Sequence, residues 1–270
     1  MISVIMIQHN NSSLTRDAIE SFLKYHKNNF EIILVDNNST EPEAIKFTKE
    51  FPDLKVILSE KNLGFGAANN LAAQKSLGDI LLFINNDVII TTEFLKKIEE
   101  EFYKDHTIGI IGPKLFNKDK SLQLSCGKLP SISMEFLDKI LYSAVDKKNR
   151  LALNFINRKY LRKEQKGWVT GAALFIRKKL FLELSGFDES FFMYFEDKDL
   201  CARVVAKGMK VLYFPESALI HLRGGSFYGS NQKFLVQKYR ESQLYYYQKH
   251  KSKLEQIILK KYLELFGKLN

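Results

Sequence analysis

The stretch DILLFINND, residues 79–87, decides the fold. Its centre is an unbroken apolar run of strand length, a pattern that suits a strand covered on both faces. The run then leaves the interior on two asparagines and an aspartate. The same design precedes it in SVIMIQHN (3–10), EIILVD (31–36) and KVILS (55–59). Helix signals lie between these runs. Leu14, Ala18, Ile19, Phe22 and Leu23 share one helical face behind a cap at Ser12 or Ser13, a short helix is expected from about Pro42 to Phe51, and another from about Gly66 to Ser76. Buried strands alternating with helices predict an α/β fold with a mostly parallel central sheet flanked by helices, Rossmann-like in its first half.

Ligands of such sheets bind beyond the carboxyl ends of the strands. The chain delivers Gln8, His9 and Asn10, then Asp36, Asn37 and Asn38, then Asn85, Asn86 and Asp87 to those ends. Asp36 either accepts hydrogen bonds from a ligand at the crevice mouth or makes an Asx-turn before the next helix. Asp87, a carboxylate where a buried strand ends, suits Mg2+ or Mn2+ facing a diphosphate, since these ions take one or two carboxylates plus phosphate oxygens. Read alone, Asn-Asn-Asp is equally a turn. The run Gly64-Phe65-Gly66-Ala67-Ala68-Asn69 lacks the third glycine of a dinucleotide fingerprint and follows the third strand rather than the first. A helix start near a ligand, with Asn69 and Asn70 one turn in, fits it better.

Beyond Thr92 the pattern becomes mixed, with strands expected at 108–111, 169–176 and 210–214 and helices near 178–184 and 198–206. The segment WVTGAALFIRKKLFLELSGFDESFFMYFEDKDLCAR (168–203) sets Asp188, Glu189, Glu196, Asp197 and Asp199 among aromatic side chains. Carboxylates in apolar surroundings are costly unless paired, metal-bound or catalytic. Glu196 and Asp197 open a helix, where the dipole favours acids, but the FFMYF run before them also supplies the desolvation that makes a carboxylate a stronger base. His221, on an apolar run ahead of Arg223-Gly224-Gly225, is either a core histidine or a metal or phosphate contact.

The 270-residue chain carries 41 Lys and Arg against 31 Asp and Glu, a net charge of +10 that favours a nucleotide, a nucleic acid or an acidic membrane surface. Residues 139–166 hold nine of the basic residues against Asp146 and Glu164, as a solvated, partly mobile loop or as an anion-facing surface. Cys126 and Cys201 lack the spacing of a disulfide framework or zinc site and point to a reducing cytosol. The first residues read as a strand rather than a signal peptide, and no apolar run approaches the ~20 residues of a membrane span. From about Gln232 the chain reads as helix. Leu254, Ile258, Tyr262, Leu265 and Phe266 form a stripe flanked by Lys251, Lys253, Lys260, Lys261 and Lys268, suited to packing on the domain, lying on a membrane or pairing in a homodimer.

SVIMIQHN with ILVDNNS, NLGFGAANN, LLFINNDV, the 168–203 segment and HLRGGS (221–226), in that order, resemble family 2 glycosyltransferases of the GT-A fold, especially bacterial rhamnosyltransferase-like members. The resemblance implies a GT-A domain over 1–230, with a nucleotide-sugar-binding half (1–115), an acceptor and catalytic half (116–230) carrying the 139–166 insertion, and a helical extension (231–270). It implies that Asp36 binds the base of the donor, within a donor site of Gln8, Asn10, Asp36, Asn38, Gly66, Asn70, Asn85 and Asn86. Asn85 and Asp87 match the family's Asp-x-Asp motif in an Asn-x-Asp form, so that Asp87, with His221, would hold Mg2+ or Mn2+. Asp197 matches the catalytic base and Glu196 would orient the acceptor, near Trp168, Gly171 and Ala172. Gln8 stands where Thr is common, and Asn69 where some members carry Arg, so diphosphate charge would be met by metal or by Arg223. The implied activity is inverting transfer from dTDP-rhamnose or a UDP-hexose to a glycan or lipid-linked acceptor in cell-surface polysaccharide synthesis. The expected location is the cytoplasm or, peripherally, the inner face of the cell membrane, and nucleic acid is not an expected partner. Two other readings compete: a nucleotidyltransferase, and a non-catalytic basic module that binds membrane or nucleic acid.

Overall fold

The four continuous apolar runs form the parallel strands β1 (Ile2–Gln8), β2 (Phe30–Asp36), β3 (Leu54–Leu58) and β4 (Ile80–Asn85). Helices α1 (Ser12–Tyr25), α2 (Ala44–Glu50) and α3 (Gly64–Lys75) connect them. This architecture is that of a computed structural model, which describes residues 1–40, 44–147, 149–222 and 232–266. The strands lie in the order β3-β2-β1-β4, with Gln8 opposite Asp36 and Ile7 opposite Asn85. That register gathers the polar strand ends on one edge of the sheet.

The start of α1 differs from expectation. Asn11, in the left-handed region at φ 55°, opens the helix with its carbonyl, which accepts from the N–H groups of Leu14 (3.2 Å) and Thr15 (3.4 Å), so neither Ser12 nor Ser13 is the cap. Asparagine enters that region more readily than most residues. The expected Pro42 start of the second helix lies outside the described residues.

The remaining elements are β5 (Val88–Ile90), α4 (Leu95–Lys104), β6 (Ile108–Phe116), β7 (Cys126–Gly127), α5 (Ile132–Asp146), α6 (Arg150–Lys159), β8 (Glu164–Lys166), β9 (Trp168–Val169), β10 (Ala173–Arg177), α7 (Lys178–Glu183), α8 (Glu196–Ala206), β11 (Lys210–His221), α9 (Gln232–His250) and α10 (Lys253–Leu265). The sheet continues from β4 through β10, β6 and β11 to β5. Here it is mixed: β10 runs antiparallel to β4 and β6, whereas β11 is parallel to β6 and antiparallel to β5 and β8. The strand expected over 169–176 is broken in two. Val169 pairs with Cys126 of β7, and the ladder resumes at Ala173, because the intervening backbone bonds to the site described below.

Both sheet faces are buried, as the apolar runs require. Leu82 of β4 points with Val4, Met6 and Leu34 into a core that includes Phe22, Phe47, Phe94 and Phe102. Its neighbours Leu81 and Phe83 point the other way, to Ala68, Ala72, Phe181, Phe187, Leu200 and Val204. Each such side chain contributes about 1.5–3 kcal/mol when fully buried. A third cluster of Phe191, Phe195, Tyr246, Tyr247, Leu259 and Leu263 joins the approach to α8 with α9 and α10.

Two sequence expectations are corrected by the helices. The basic 139–166 stretch is not a loop: it falls largely in α5, whose first turn is capped by Ser131 accepting from Met134 N–H, and in α6, capped by Asn149 accepting from Ala152 N–H. The extension packs on the domain, but through Leu259 and Leu263, while Leu254, Ile258, Leu265 and Phe266 of the expected stripe stay exposed. Lys268 lies outside the described residues. No helix among the described residues is long and apolar enough to cross a membrane.

Candidate active site

At the carboxyl edge of β1 and β2, Asp36 is buried, accepting from Gln8 Nε2 (3.1 Å) at Oδ2 and from Ser39 N–H (2.8 Å) at Oδ1. The Ser39 bond is that of the Asx-turn, and each carboxylate oxygen has a further acceptor position. Asn10 and Asn38 are left-handed, at φ 62° and 65°. Asn10 Oδ1 receives both Thr40 N–H (2.9 Å) and its hydroxyl (3.0 Å), so it braces the loop after β2, and Asn38 is exposed. Asn37, which sequence reasoning noted only as a neighbour of Asp36, is the buried hub: its amide donates to Asn62 Oδ1 (3.0 Å) and Gly64 carbonyl (3.2 Å) and accepts from Leu63 N–H (2.8 Å).

The start of α3 is built by packing. Gly64 sits at φ 79° against the Phe192 carbonyl, Gly66 lies under Phe187, and Asn70 exchanges hydrogen bonds with Phe187 backbone (2.8 and 2.9 Å) while donating to Glu189 Oε1 (3.0 Å). Gly66 and Asn70 thus fix the 187–189 turn against α3. Asn86 is turned toward α1, its buried amide donating to Thr15 Oγ1 (2.9 Å).

Asp87 and His221 come together although 134 positions separate them in the chain. β5 pairs with β11, placing Val88 opposite His221, and Leu222 N–H donates to the Asp87 carbonyl (2.9 Å). His221 Nε2 lies 3.2 Å from Asp87 Oδ1 and 3.5 Å from Asn85 Nδ2. On the other side of the ring, Nδ1 is 3.0 Å from Nε2 and 3.1 Å from Oε1 of buried Gln123, so the tautomer decides which of the two it bonds. In the tautomer where Nδ1–H donates to Gln123, the Nε2 lone pair faces Asp87, the orientation a metal-ligating histidine receives from its outer partner. One carboxylate and one imidazole fit a divalent ion that completes its shell with diphosphate oxygens and water. Among the described residues no group of three or more His, Cys, Asp and Glu forms a cage, so a metal here would depend on such external oxygens. Gln123 had no sequence signal, and Arg223 and Gly224-Gly225 lie outside the described residues.

The broken strand between β9 and β10 connects this edge to α8. The Ala172 carbonyl accepts from Asn85 N–H (3.0 Å), and Gly171 N–H donates to Asp197 Oδ2 (2.8 Å). A Cβ on Gly171 would stand 3.4 Å from the Asp197 Cβ and 3.3 Å from the Phe65 ring, so the close approach favours glycine. Asp197 Oδ1 also accepts from Lys198 N–H (2.7 Å), and the side chain remains partly exposed. Glu196 is buried, and its Oε2 has no hydrogen-bond partner among the described residues. Burial, then the neighbouring Asp197, pushes its carboxyl well above the usual carboxylate range, which favours the protonated form. Tyr194 and Phe195 immediately before it both have positive φ, 66° and 67°. Non-glycine residues held there cost on the order of 1–3 kcal/mol each, a strain that clusters at functional sites.

Trp168 is buried beside this turn, with Lys198 Nζ 4.9 Å from its ring centroid and 4.1 Å from that of Phe195. The other acids of the segment are structurally engaged. Asp188 accepts from Ser190 N–H (3.0 Å), Lys249 (2.6 Å) and the Tyr245 hydroxyl (3.0 Å); burial raises its carboxyl, but Lys249 and Ser190 outweigh that and hold it at about 2. Asp199 faces Arg203, Lys249 and His250.

A family described as "Glycosyl transferase family 2" matches residues 3–184. The O-antigen biosynthesis protein RfbC of Myxococcus xanthus is 27% identical over 231 residues, 83% of this chain but 17% of RfbC. The N-acetylglucosaminyl-diphospho-decaprenol L-rhamnosyltransferase of Mycobacterium tuberculosis is 24% identical over 72% of this chain and 67% of its own length. The structure of GalNAc-T7 with UDP, GalNAc and Mn2+ shares the fold, with a TM-score of 0.62 at 19% identity over 92% of this chain and 49% of that one. The chain therefore spans about a sixth of RfbC and half of the GalNAc-T7 chain. With the family match covering most of its length, and with the sheet edge and α8 arranged as above, the chain belongs to glycosyl transferase family 2.

Proposed function

We propose that this chain transfers a sugar from a nucleotide-diphosphate sugar to a hydroxyl of a glycan or lipid-linked acceptor, with inversion at the anomeric carbon, in cell-surface polysaccharide synthesis. The observation that carries this reading is the 170–172 turn, which bonds to Asp197 through Gly171 and to Asn85 through Ala172. A partly exposed carboxylate and a diphosphate-binding strand end held by one turn suit a single displacement. Asp197 takes the proton of the acceptor hydroxyl. That oxygen forms the new bond to the anomeric carbon as the bond to the diphosphate oxygen breaks, and the electron pair leaves with the nucleoside diphosphate. Glu196, protonated and buried, donates rather than accepts, which suits orientation of an acceptor oxygen.

Asp87 and His221 would hold Mg2+ or Mn2+, which when bound neutralises charge on the departing diphosphate. The Mn2+ and UDP of GalNAc-T7 support a divalent ion and a nucleotide donor. Asp36 and Gln8 form the end of the crevice where a base would lie. The rhamnosyl relative favours dTDP-rhamnose over a UDP-hexose and a lipid-diphosphate acceptor over a free glycan. Such an acceptor would put the enzyme at the inner face of the cell membrane. Family membership turns against nucleotidyl transfer, which predicts diphosphate release from a nucleoside triphosphate.

The test is a thermal-shift panel of nucleotide sugars with and without Mn2+, followed by turnover of the stabilising donor. A ligand at a hundred times its Kd stabilises by about 2.7 kcal/mol. Asp197→Asn should keep that shift and lose sugar transfer by at least ~100-fold. Retained transfer would refute the assignment of the base.

A further inference from the structure

A cavity of about 810 Å³ opens beside the proposed base, between α5, α9 and α10. Trp168, two residues before the 170–172 turn, and Lys198, next to Asp197, are among its lining residues. Phe136, Ile258, Leu259 and Tyr262 give it apolar walls, and Lys128, Lys139, Lys147, Lys198 and Arg240 surround them with positive charge. Phe136 is 65% exposed and Ile258 43% exposed, so apolar surface continues from the cavity to solvent. Arg240 leaves a buried Nε without a hydrogen-bond partner among the described residues, while its Nη1 donates to Gln243 (2.6 Å). Two acids, Glu135 and Asp138, share the cavity. Burial raises both carboxyls above their ordinary values, against a Tyr247 hydrogen bond and then Lys198 at Glu135, and against Lys198 at Asp138.

A dry, uncharged ligand would leave these cations without purpose, and a small anion would leave the apolar walls wet. We propose that the cavity binds an amphiphile in which an apolar chain is joined to a phosphate or diphosphate, with the chain along Phe136, Ile258, Leu259 and Tyr262 and the anion at Arg240 and Lys198. Assigning that amphiphile as the sugar acceptor rests on the transferase reading, because Lys198 would then bring the phosphate-linked sugar beside Asp197. Binding itself does not rest on that reading.

Trp168 is the chain's one tryptophan, so its fluorescence reports on this cavity. The full chain is titrated in EDTA, away from any metal effect, with farnesyl diphosphate below its micellar concentration, farnesol, inorganic diphosphate, and vesicles containing an anionic phospholipid. The expected result is saturable change with farnesyl diphosphate at least about tenfold tighter than with farnesol or diphosphate, as loss of one charge-assisted hydrogen bond implies. Arg240→Gln should weaken farnesyl diphosphate about tenfold and leave farnesol unchanged, whereas Ile258→Asn should weaken both. Equal affinity for farnesol, equal affinity for diphosphate, a response to vesicles alone, or variants that bind like the parent would each overturn the proposal. If the parent binds farnesyl diphosphate in this way while no nucleotide sugar stabilises it, the cavity assignment stands and the transferase reading falls.

Discussion

Replacing Asp199 with alanine tests how the α8 helix, two residues past Asp197, is held in place. The Asp199 side chain is fully buried, and its oxygens meet Arg203 Nε at 2.7 Å, Lys249 Nζ at 2.8 Å and His250 Nε2 at 2.7 Å. Arg203 also donates to the Leu184 carbonyl (2.8 Å), so one carboxylate ties α8 to the end of α7 and to α9. Removing one member of a buried ion pair costs about 3–5 kcal/mol, because the partner charge remains without compensation. Here Arg203 and His250 would lose their carboxylate while Lys249 would keep Asp188, which puts Asp199→Ala toward the lower end of that range. With a melting shift of about 2–4 °C per kcal/mol for a domain of this size class, the expected fall in Tm is roughly 6–20 °C. Calorimetry or urea titration measures it, and Asp199→Asn, which keeps the shape and one acceptor oxygen but sets an amide NH2 against the remaining donors, should lose less. Lys249→Met added to Asp199→Ala should recover stability, although Lys249→Met alone should lower it. Burial raises the Asp199 carboxyl, yet His250, Arg203 and Lys249 outweigh that and hold it below its ordinary value. Its contribution is therefore present above 3.8 and lost as pH falls through the lower folded value. A cost below about 1 kcal/mol for Asp199→Ala, or additive effects of the double variant, would show that the cluster is not the fastening inferred from its geometry.

Glu196 gives the opposite pH signature: its folded value of about 8 against an ordinary 4.5 means its contribution is fully present below 4.5 and declines as pH rises through about 8. Glu196→Gln should therefore flatten the dependence of Tm on pH between 5 and 8, and an unchanged slope would reassign the proton. Gln123→Leu should lower Mn2+ affinity, read by metal-dependent thermal shift in the presence of nucleotide, by about 10–100-fold through loss of His221 orientation; parental affinity would remove His221 from the metal site. Gly64→Ala, at φ 79° against the Phe192 carbonyl, should cost at least about 2 kcal/mol in a denaturant titration. A neutral result would mean that the α3 start relaxes freely.

The strands of the first half were legible because a continuous apolar run has few alternatives to a covered strand, and their polar ends followed from the pleat and the register. Less was legible where tertiary contacts choose among equivalent residues. Asn37 and Asn38 are chemically identical neighbours, yet one turns inward to Asn62, Leu63 and Gly64 and the other is exposed. On α10, Leu259 and Leu263 were as apolar as the Leu254 to Phe266 stripe; contact with Tyr246 and Tyr247 decides which face is buried. Some local signals lie in the sequence itself. Ser252, three residues before Glu255, is a capping box, and its hydroxyl accepts from Glu255 N–H (3.3 Å), starting α10 separately from α9. Gln123 is different in kind, because only the pairing of β11 with β5 and β6 brings His221 to it.

The acids of 168–203 show how far a cost argument reaches. It required each carboxylate to be paired, metal-bound or catalytic, and the structure satisfies four of them by separate means. Lys249 and Ser190 meet Asp188, Asn70 meets Glu189, two backbone N–H groups meet Asp197, and a cationic cluster meets Asp199. Glu196 alone keeps a buried oxygen with no partner among the described residues, and it does so directly after two strained left-handed residues. A purely structural acid at a helix start would relax outward to water, since the dipole supports it there at no desolvation cost. Holding it inward beside Asp197 therefore opposes stability, a cost of the kind that clusters at functional sites.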